Sequence, residues 1–310
     1  MRSERFWSTK FDRIRLRGAY ILLNSRDFWD EGHARALSFA HTRGELLESR
    51  PVLSHPQYSI VIPAYNETAR IGRALSQVSD CIRKHRWAAE VVVVDDGSTD
   101  NTAALVEAWA AGHPEVRLIR NGRNRGKGYS VRNGMLRAAG EVVMFTDADL
   151  SSPIEEAERL FEAIAAGADV AIGSRWLIGK RIVHKQPLYR RFFGRCFNAL
   201  TRSVMRLPFA DTQCGFKAFR REAAQLVFSL QRVERWGFDP EILFIGIKRG
   251  LRIVEVPVTW GHDERSRVSY LRDGMQMLLE LVFVRWNAVT GRYRQPVGMM
   301  HHAAVGTPHK

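Results

Sequence analysis

Asp147-Ala148-Asp149 closes an apolar run, Val142-Val143-Met144-Phe145-Thr146. Two carboxylates one residue apart at the end of a buried strand suit a hard divalent cation, which takes oxygen ligands and can bridge the phosphates of a nucleotide. Three other polar clusters stand at comparable places. Pro63-Ala64-Tyr65-Asn66-Glu67 ends one apolar run, and Asp95-Asp96-Gly97-Ser98-Thr99-Asp100 ends a second. Asn121-Gly122-Arg123-Asn124-Arg125-Gly126-Lys127-Gly128 is a glycine-punctuated basic loop ahead of a helical pattern. A carboxylate can accept an N–H of a nucleobase and an aromatic ring can cover its face, roles that suit Asp95, Asp96 and Tyr65. Lys127 lies where glycines let backbone approach a ligand, and suits phosphate. Together the clusters predict a site for a nucleoside diphosphate with a divalent cation. Singly they are bland: Asp96-Gly97 and Asn121-Gly122 are common turn pairs and Pro63 a strand terminator. Their recurrence at successive strand ends argues against coincidence.

The elements that position them follow from periodicity. Strands are predicted at 58–63, 90–95, 116–119, 141–146, 169–173 and 252–258. Within 90–95 the four residues Val91 to Val94 are apolar without a break, as a strand covered on both faces should be. Helices are predicted at 68–84, 101–111, 128–139 and 154–166, the first with Ile71, Leu75, Val78 and Ile82 on one face. Ser152-Pro153-Ile154-Glu155 reads as a capped start to the last of these. Repeated βα alternation predicts an α/β fold, a mostly parallel sheet with helices on both faces. Ligands in such sheets gather at the carboxyl ends of the strands. A further helix, Leu271 to Trp286, carries an apolar stripe of Met275, Leu278, Leu279, Val282, Phe283 and Trp286. Core packing is the plain expectation for the stripe, and docking on a membrane interface the functional one.

A chain of 310 residues can bury a sizeable core. The three cysteines, Cys81, Cys196 and Cys214, form no metal or disulfide pattern, so a reducing compartment is expected. The beginning of the chain lacks the apolar core of a signal peptide. No stretch approaches the ~18 apolar residues of a membrane span. The net charge of +14 points to anionic partners: nucleic acid, a membrane surface or phosphorylated substrates. Between Asp169 and Asp211 there is no acidic residue, while Arg175, Lys180, Arg181, Lys185, Arg190, Arg191, Arg195, Arg202 and Arg206 alternate with aromatic and apolar residues. That mixture fits a membrane-surface segment, or a helix with one buried face. No zinc-finger, RRM or helix-turn-helix pattern accompanies the charge, so nucleic acid is not an expected partner.

Pro63-Ala64-Tyr65-Asn66-Glu67, Asp95-Asp96-Gly97-Ser98 and Asp147-Ala148-Asp149 together resemble the inverting glycosyltransferases of family 2, on the GT-A fold. Gly173-Ser174-Arg175, Asp211-Thr212-Gln213-Cys214-Gly215-Phe216-Lys217, Gly237-Phe238-Asp239-Pro240-Glu241 and Ser266-Arg267-Val268 narrow the resemblance to the dolichyl-phosphate β-glucosyltransferases, near the mannose synthases. The resemblance implies a Rossmann-like GT-A domain over 57–262, with a helical or irregular extension over 1–56, an amphipathic helical region over 263–296 and a disordered tail over 297–310. It implies transfer of glucose from UDP-glucose to a polyprenyl monophosphate, with Mg²⁺ or Mn²⁺ as cofactor. The expected location is cytoplasmic, peripheral on the inner face of the membrane. Carried over position by position, Pro63, Tyr65, Glu67, Asp95 and Asp96 are expected to hold the nucleoside, with Lys127, Asp147 and Ala148 also against the nucleotide. Asp147 and Asp149 are expected to flank the metal, Asp149 more directly. Arg175, Gln213, Lys217 and Arg267 are expected at the acceptor phosphate. Asp239 or Glu241 is expected to position sugar hydroxyls, which makes Asp149, Asp239 and Arg175 the expected catalytic set. Two departures stand out: Ser151 replaces a glutamine usual in the mannose synthases, and the spanning helix of eukaryotic relatives has no counterpart here.

The nearest alternatives keep the fold and change the donor to GDP-mannose, or the acceptor to a non-lipid. Processive polysaccharide synthases carry spanning helices and a Gln-x-x-Arg-Trp motif. Here Gln231 precedes Arg235-Trp236 by one residue too many, and reads as coincidence.

Overall fold

Strands buried on both faces divide their side chains between two cores, and the central strands of this protein do so residue by residue. A computed structural model describes residues 55–177, 188–261 and 270–294, with the backbone alone for 188–193 and 270–273. Most of the expected 1–56 extension, the Ser266-Arg267-Val268 motif and the 297–310 tail lie outside the described residues. Strands β1 (Tyr58–Ala64), β2 (Ala89–Asp95), β3 (Val116–Arg120), β4 (Val142–Phe145), β5 (Val170–Ser174), β6 (Lys217–Arg220) and β7 (Ile253–Pro257) form one sheet. Its order is β3-β2-β1-β4-β6-β5-β7. Every pairing is parallel except those of β6, which runs antiparallel to both β4 and β5.

On one face Ile60, Ile62, Val91, Val93 and Met144 pack beneath helices α1 (Ile71–His85), α2 (Thr102–Gly112) and α4 (Ala157–Ala165). On the other, Val61, Val92, Val94, Val143 and Phe145 pack beneath α3 (Lys127–Arg137), α6 (Arg221–Leu230) and α7 (Phe238–Lys248). Helices α5 (Leu188–Met205) and α8 (Tyr270–Val289) extend that second layer. The chain winds outward from β1 to β3, then returns to place β4 on the opposite side of β1. That reversal leaves a crevice between the carboxyl ends of β1 and β4, where Pro63 and Asp147 emerge.

Three expectations are corrected. Strand β6 was not anticipated, because Lys217-Ala218-Phe219-Arg220 is short and begins and ends in charge. It is a strand because it pairs with both β4 and β5, and its lysine, buried by that pairing, meets a carboxylate described below. The expected capped helix at 154–166 opens instead as a 3₁₀ turn, Ile154–Glu156, with no side-chain cap, and α4 follows. Ser152 lines the crevice beside Ser151, so the cap residue is used by the site. Helix α1 begins at Ile71, three residues later than expected. Residues 67 and 68 are drawn away to the β2 loop, where Glu67 N–H donates to Thr102 Oγ1 at 2.7 Å and Thr68 N–H to Asp100 Oδ2 at 3.3 Å.

Helix α3 sits so close to the sheet that only glycine fits at one contact. A Cβ on Gly134 would run into Val61 Cγ1 and lie 2.9 Å from Val94 Cγ2. Gly72, in α1, has nothing within 4 Å of the same position. Alanine in a helix interior normally gains about 0.5–1 kcal/mol over glycine. Gly72→Ala is expected to hold or raise the melting temperature, whereas Gly134→Ala should lose about 1–3 kcal/mol to overpacking. Equal behaviour of the two variants in thermal unfolding would refute this account of the α3 contact.

Candidate active site

The crevice is a cleft of about 530 Å³ lined from every strand end on the carboxyl side of the switch. Its first wall is the β1 exit. Pro63 and Ala64 continue the strand, and Tyr65 stands 39% exposed at the rim. The following turn is fixed because Asn66 takes a left-handed conformation, φ 54°. Its N–H donates to Ser98 Oγ at 2.9 Å and its Oδ1 accepts from Thr99 N–H at 2.8 Å. Glu67 lines the cleft as half of an ion pair, with Arg70 Nε 2.6 Å and Nη2 2.9 Å from its two oxygens.

The Asp95-Asp96 pair builds the loops around the site. Asp95 is buried off the cleft wall and accepts from Ser98 N–H at 3.3 Å. Asp96 does line the cleft, but its oxygens accept from Arg125 N–H at 3.0 Å, Gly126 N–H at 2.8 Å and Asn121 Nδ2 at 2.8 Å. It thereby draws the basic loop onto the end of β2. Gly126, φ 106°, is needed there because a Cβ would lie 2.5 Å from Glu234 O and 2.9 Å from Arg235 Cγ. The direct nucleobase contact expected of Asp95 is not open to a buried residue off the wall.

Lys127, the first residue of α3, reaches the floor, with Nζ 2.5 Å from Asp147 Oδ1. Burial alone would lower the ammonium pKa, but Asp147 beside it and Asp239 beyond raise it. Asp149 turns back on its own loop, accepting from Ser151 N–H at 2.9 Å. Burial first, and the Asp147 charge second, push its carboxyl above the usual range. Two carboxylates crowded in this way favour an added cation. Lys127 already puts one positive group on Asp147, and Gly215 leaves the room: a Cβ there would lie 2.5 Å from Asp147 Oδ2. The two carboxylates would suit one hard cation, which takes oxygen ligands. No third carboxylate, histidine or cysteine joins the pair among the described residues.

The far wall comes from the β5 exit and the segment leading into β6. Arg175 holds Asp211 bidentately, Nε–Oδ2 2.7 Å and Nη2–Oδ1 2.9 Å, and its backbone N–H donates to Oδ2 at 3.0 Å. Burial would raise the Asp211 carboxyl, but the guanidinium outweighs it and holds it below the usual range. Gln213 lines the cleft with its Nε2 buried and unpartnered. Lys217 does not reach the cleft surface. It is fully buried within the sheet, its ammonium 2.5 Å from both Cys214 O and Asp239 Oδ1. The acceptor-phosphate role expected of it is therefore replaced by a positioning one, because its donors are taken up inside the core. Asp239 faces the cleft, and burial raises its carboxyl against the pull of Lys217 and Lys127.

Glu241 is also corrected. It is fully buried away from the cleft and accepts from Arg232 N–H at 3.0 Å, Val233 N–H at 2.8 Å and Tyr293 O–H at 2.7 Å. Burial pushes it up to about 7. It is a clasp between α7 and the end of the α8 region, with no access to a sugar. Arg267 lies outside the described residues. Sequence reasoning missed Arg70, Trp176, Arg235, Trp236, Trp260 and Met277, all on the cleft wall. The Arg235-Trp236 pair was visible as a near-motif. Tryptophans brought in from separate loops carry no local signal.

The buried Lys217–Asp239 pair gives a direct test. Lys217→Met leaves Asp239 without its nearest cation and should cost about 3–5 kcal/mol in urea unfolding. Lys217→Met with Asp239→Leu should recover most of that loss. A single-variant loss under about 1 kcal/mol would exclude the pair as a structural element.

The fold and site can be set beside known proteins. Residues 59–228 match the model of glycosyl transferase family 2. A dolichyl-phosphate beta-glucosyltransferase of Trichomonas vaginalis is 37% identical over 237 residues, 72% of this chain and 69% of the relative. Proteins of the same description from Saccharomyces cerevisiae (35%, covering 76% of each chain) and Mus musculus (32%, covering 84% and 86%) are also similar. Among solved structures, glucosyl-3-phosphoglycerate synthase from Mycobacterium tuberculosis with Mn²⁺, UDP and glucosyl-3-phosphoglycerate superposes with TM-score 0.55 at 23% identity, covering 78% of this chain and 82% of that one. A mannosyltransferase from Pyrobaculum calidifontis with GDP-Man and Mn²⁺ gives 0.51 at 21%, covering 73% and 63%. Those likenesses establish the GT-A fold. With the family model spanning more than half its length and relatives above 30% identity matched over most of theirs, the chain belongs to glycosyl transferase family 2 and is a glycosyltransferase.

Proposed function

We propose that this glycosyltransferase moves glucose from UDP-glucose to a polyprenyl monophosphate, with inversion, as a peripheral protein at the cytoplasmic face of a membrane. The observation that carries the reading is one cleft in which Asp147, Asp149 and Lys127 face Arg175, Gln213 and Asp239. An acidic, cation-ready floor beside a basic wall is what two anionic substrates require. The names of the relatives support glucose and a dolichyl-type phosphate.

The nucleophile is a phosphate oxygen. A phosphate monoester has its second pKa near ~6 and is largely dianionic at neutral pH, so no strong base is needed. The acceptor oxygen forms the new bond to the anomeric carbon while the bond to the diphosphate breaks, and UDP leaves with the electron pair. Attack from the face opposite the leaving group gives a β product from an α donor. Asp147 and Asp149 would hold Mg²⁺ or Mn²⁺, which when bound neutralises the diphosphate. Lys127 places its ammonium beside the same group. Tyr65 and the Pro63-Ala64 strand end line the nucleoside end, and Ala148, buried between the two aspartates, packs the floor. Arg175, locked by Asp211, and the unpartnered Gln213 Nε2 are the groups for the acceptor phosphate, and Asp239 for sugar hydroxyls.

A polyprenyl chain requires a membrane. No helix among the described residues is long and apolar enough to cross one. Of the α8 stripe only Leu278 packs against the core: Met275, Leu279, Val282 and Trp286 are 60–65% exposed, with Phe283 and Val289 beside them. The buried face is Leu281, Val284 and Asn287. Arg285, Arg292 and Arg294 flank the apolar face, a composition that suits an anionic bilayer surface.

Purified protein with Mn²⁺, labelled UDP-glucose or GDP-mannose, and polyprenyl phosphate in detergent should move label into the organic phase from UDP-glucose. Asp149→Ala should lower that transfer about 10²-fold or more. Transfer from GDP-mannose alone would keep the mechanism and change the donor, and transfer from neither would sink the reading. Leu279→Glu with Val282→Glu should abolish flotation with phosphatidylglycerol vesicles at unchanged melting temperature. Retained flotation would move the membrane contact elsewhere.

A further inference from the structure

Four cationic side chains among the described residues line the cleft: Arg70, Lys127, Arg175 and Arg235. Three face carboxylates, Glu67, Asp147 and Asp211 respectively, at ion-pair distance. Arg235 has no such partner among the described residues, and its charge acts on Glu280 of α8 without an ion-pair contact. A guanidinium without a carboxylate partner among the described residues, on the wall of a site that would take two phosphate-bearing substrates, is placed to receive one of them. We propose that Arg235 binds the phosphate of the acceptor, which deepens the lipid-phosphate reading and rests on it.

Position favours the acceptor over the donor. Residues 234–237 bridge two parts of the site. On one side Gly128 N–H donates to Arg235 O at 3.2 Å and Tyr129 N–H to Glu234 O at 2.9 Å, which pins the segment to the start of α3. The Lys127 ammonium lies 5.8 Å from the Trp236 ring centre. On the other side Gly237 N–H donates to Glu280 Oε2 of α8 at 2.6 Å. A Cβ on Gly237 would lie 2.8 Å from that oxygen, so the segment and α8 are in close contact. Met277 of α8 lines the same cleft, while other residues of α8 form the exposed apolar stripe. Arg235 thus stands between the membrane-facing helix and Lys127, on the path of a headgroup arriving from the bilayer. On the proposed reading the donor diphosphate would have Lys127 and a cation held by Asp147 and Asp149; the incoming dianion would have Gln213 and one cationic group, Arg175, itself paired with Asp211.

The test measures binding without requiring turnover. Farnesyl monophosphate, inorganic phosphate, farnesol and UDP with Mn²⁺ are titrated in turn against wild type, Arg235→Ala and Arg235→Lys by calorimetry. The side chain is exposed, and the melting temperature checks that both variants fold. Arg235→Ala should weaken farnesyl phosphate about 10–100-fold and inorganic phosphate in parallel. Farnesol and UDP should be unaffected, and Arg235→Lys should lie between wild type and alanine. Weaker UDP with unchanged farnesyl phosphate would assign Arg235 to the donor and overturn the proposal, as would no change in either. A wild type that binds UDP but not farnesyl phosphate would defeat the lipid-phosphate reading itself, an outcome distinct from a wild type and an alanine variant that bind it equally.

Discussion

Three carboxylates in or just behind the walls of one cleft each face a cation, which offsets the cost of drawing charge out of water. Asp147 has Lys127, Asp211 has Arg175 and Asp239 has Lys217. Each pair joins elements distant in sequence: the start of α3 to the end of β4, the exit of β5 to the approach to β6, and β6 to the start of α7. The pairs therefore shape the site as well as neutralise it. Without them the strand ends would carry repelling charges at close quarters, and the loops between them would lose contacts that fix their course.

The three pairs divide the labour. Lys127–Asp147 is partly open and can exchange its ammonium contact for a ligand. Arg175–Asp211 fixes a guanidinium by two of its donor groups and leaves the remainder available. Lys217–Asp239 is closed at the lysine and open at the aspartate, so the cation supports a carboxylate that faces the cleft. Sites of this kind keep positive charge near phosphate without leaving it free to collapse onto neighbouring acids, because each cation already has a geometry of its own.

Much of this was legible in the sequence. Continuous apolar runs such as Val91 to Val94 can only be doubly covered strands, and the polar clusters that end them had to share one edge of the sheet. The family resemblance then supplied candidate roles, and most of those residues line the cleft. What could not be read was the direction of individual side chains. Asp95 and Asp96 have the chemistry of base recognition, yet backbone N–H groups of nearby loops satisfy them first. Glu241 is two residues from Asp239, and on α7 that spacing turns it to the opposite side, onto Tyr293. Lys217 looks like a surface cation until Asp239, far away in sequence, is placed beside it. The α8 stripe has the same periodicity whether it faces a core or a bilayer, and only the packed neighbours separate the two. In each case the deciding partner is remote in sequence and has no local signature.

The antiparallel β6 has a consequence for how such a protein can be divided or recombined. It fills the gap between β4 and β5, so the strand bearing Asp147 is hydrogen-bonded to a segment that arrives some seventy residues later. A fragment ending after β5 would hold the whole nucleotide side of the cleft but leave β4 with an open edge, an invitation to pair with other chains. The nucleotide-facing half is thus not a portable module. Exchanging acceptor specificity by swapping the distal half between relatives would also exchange the strand that closes the donor half's sheet. New specificities are then more readily reached through the loops that rim the cleft than by shuffling halves.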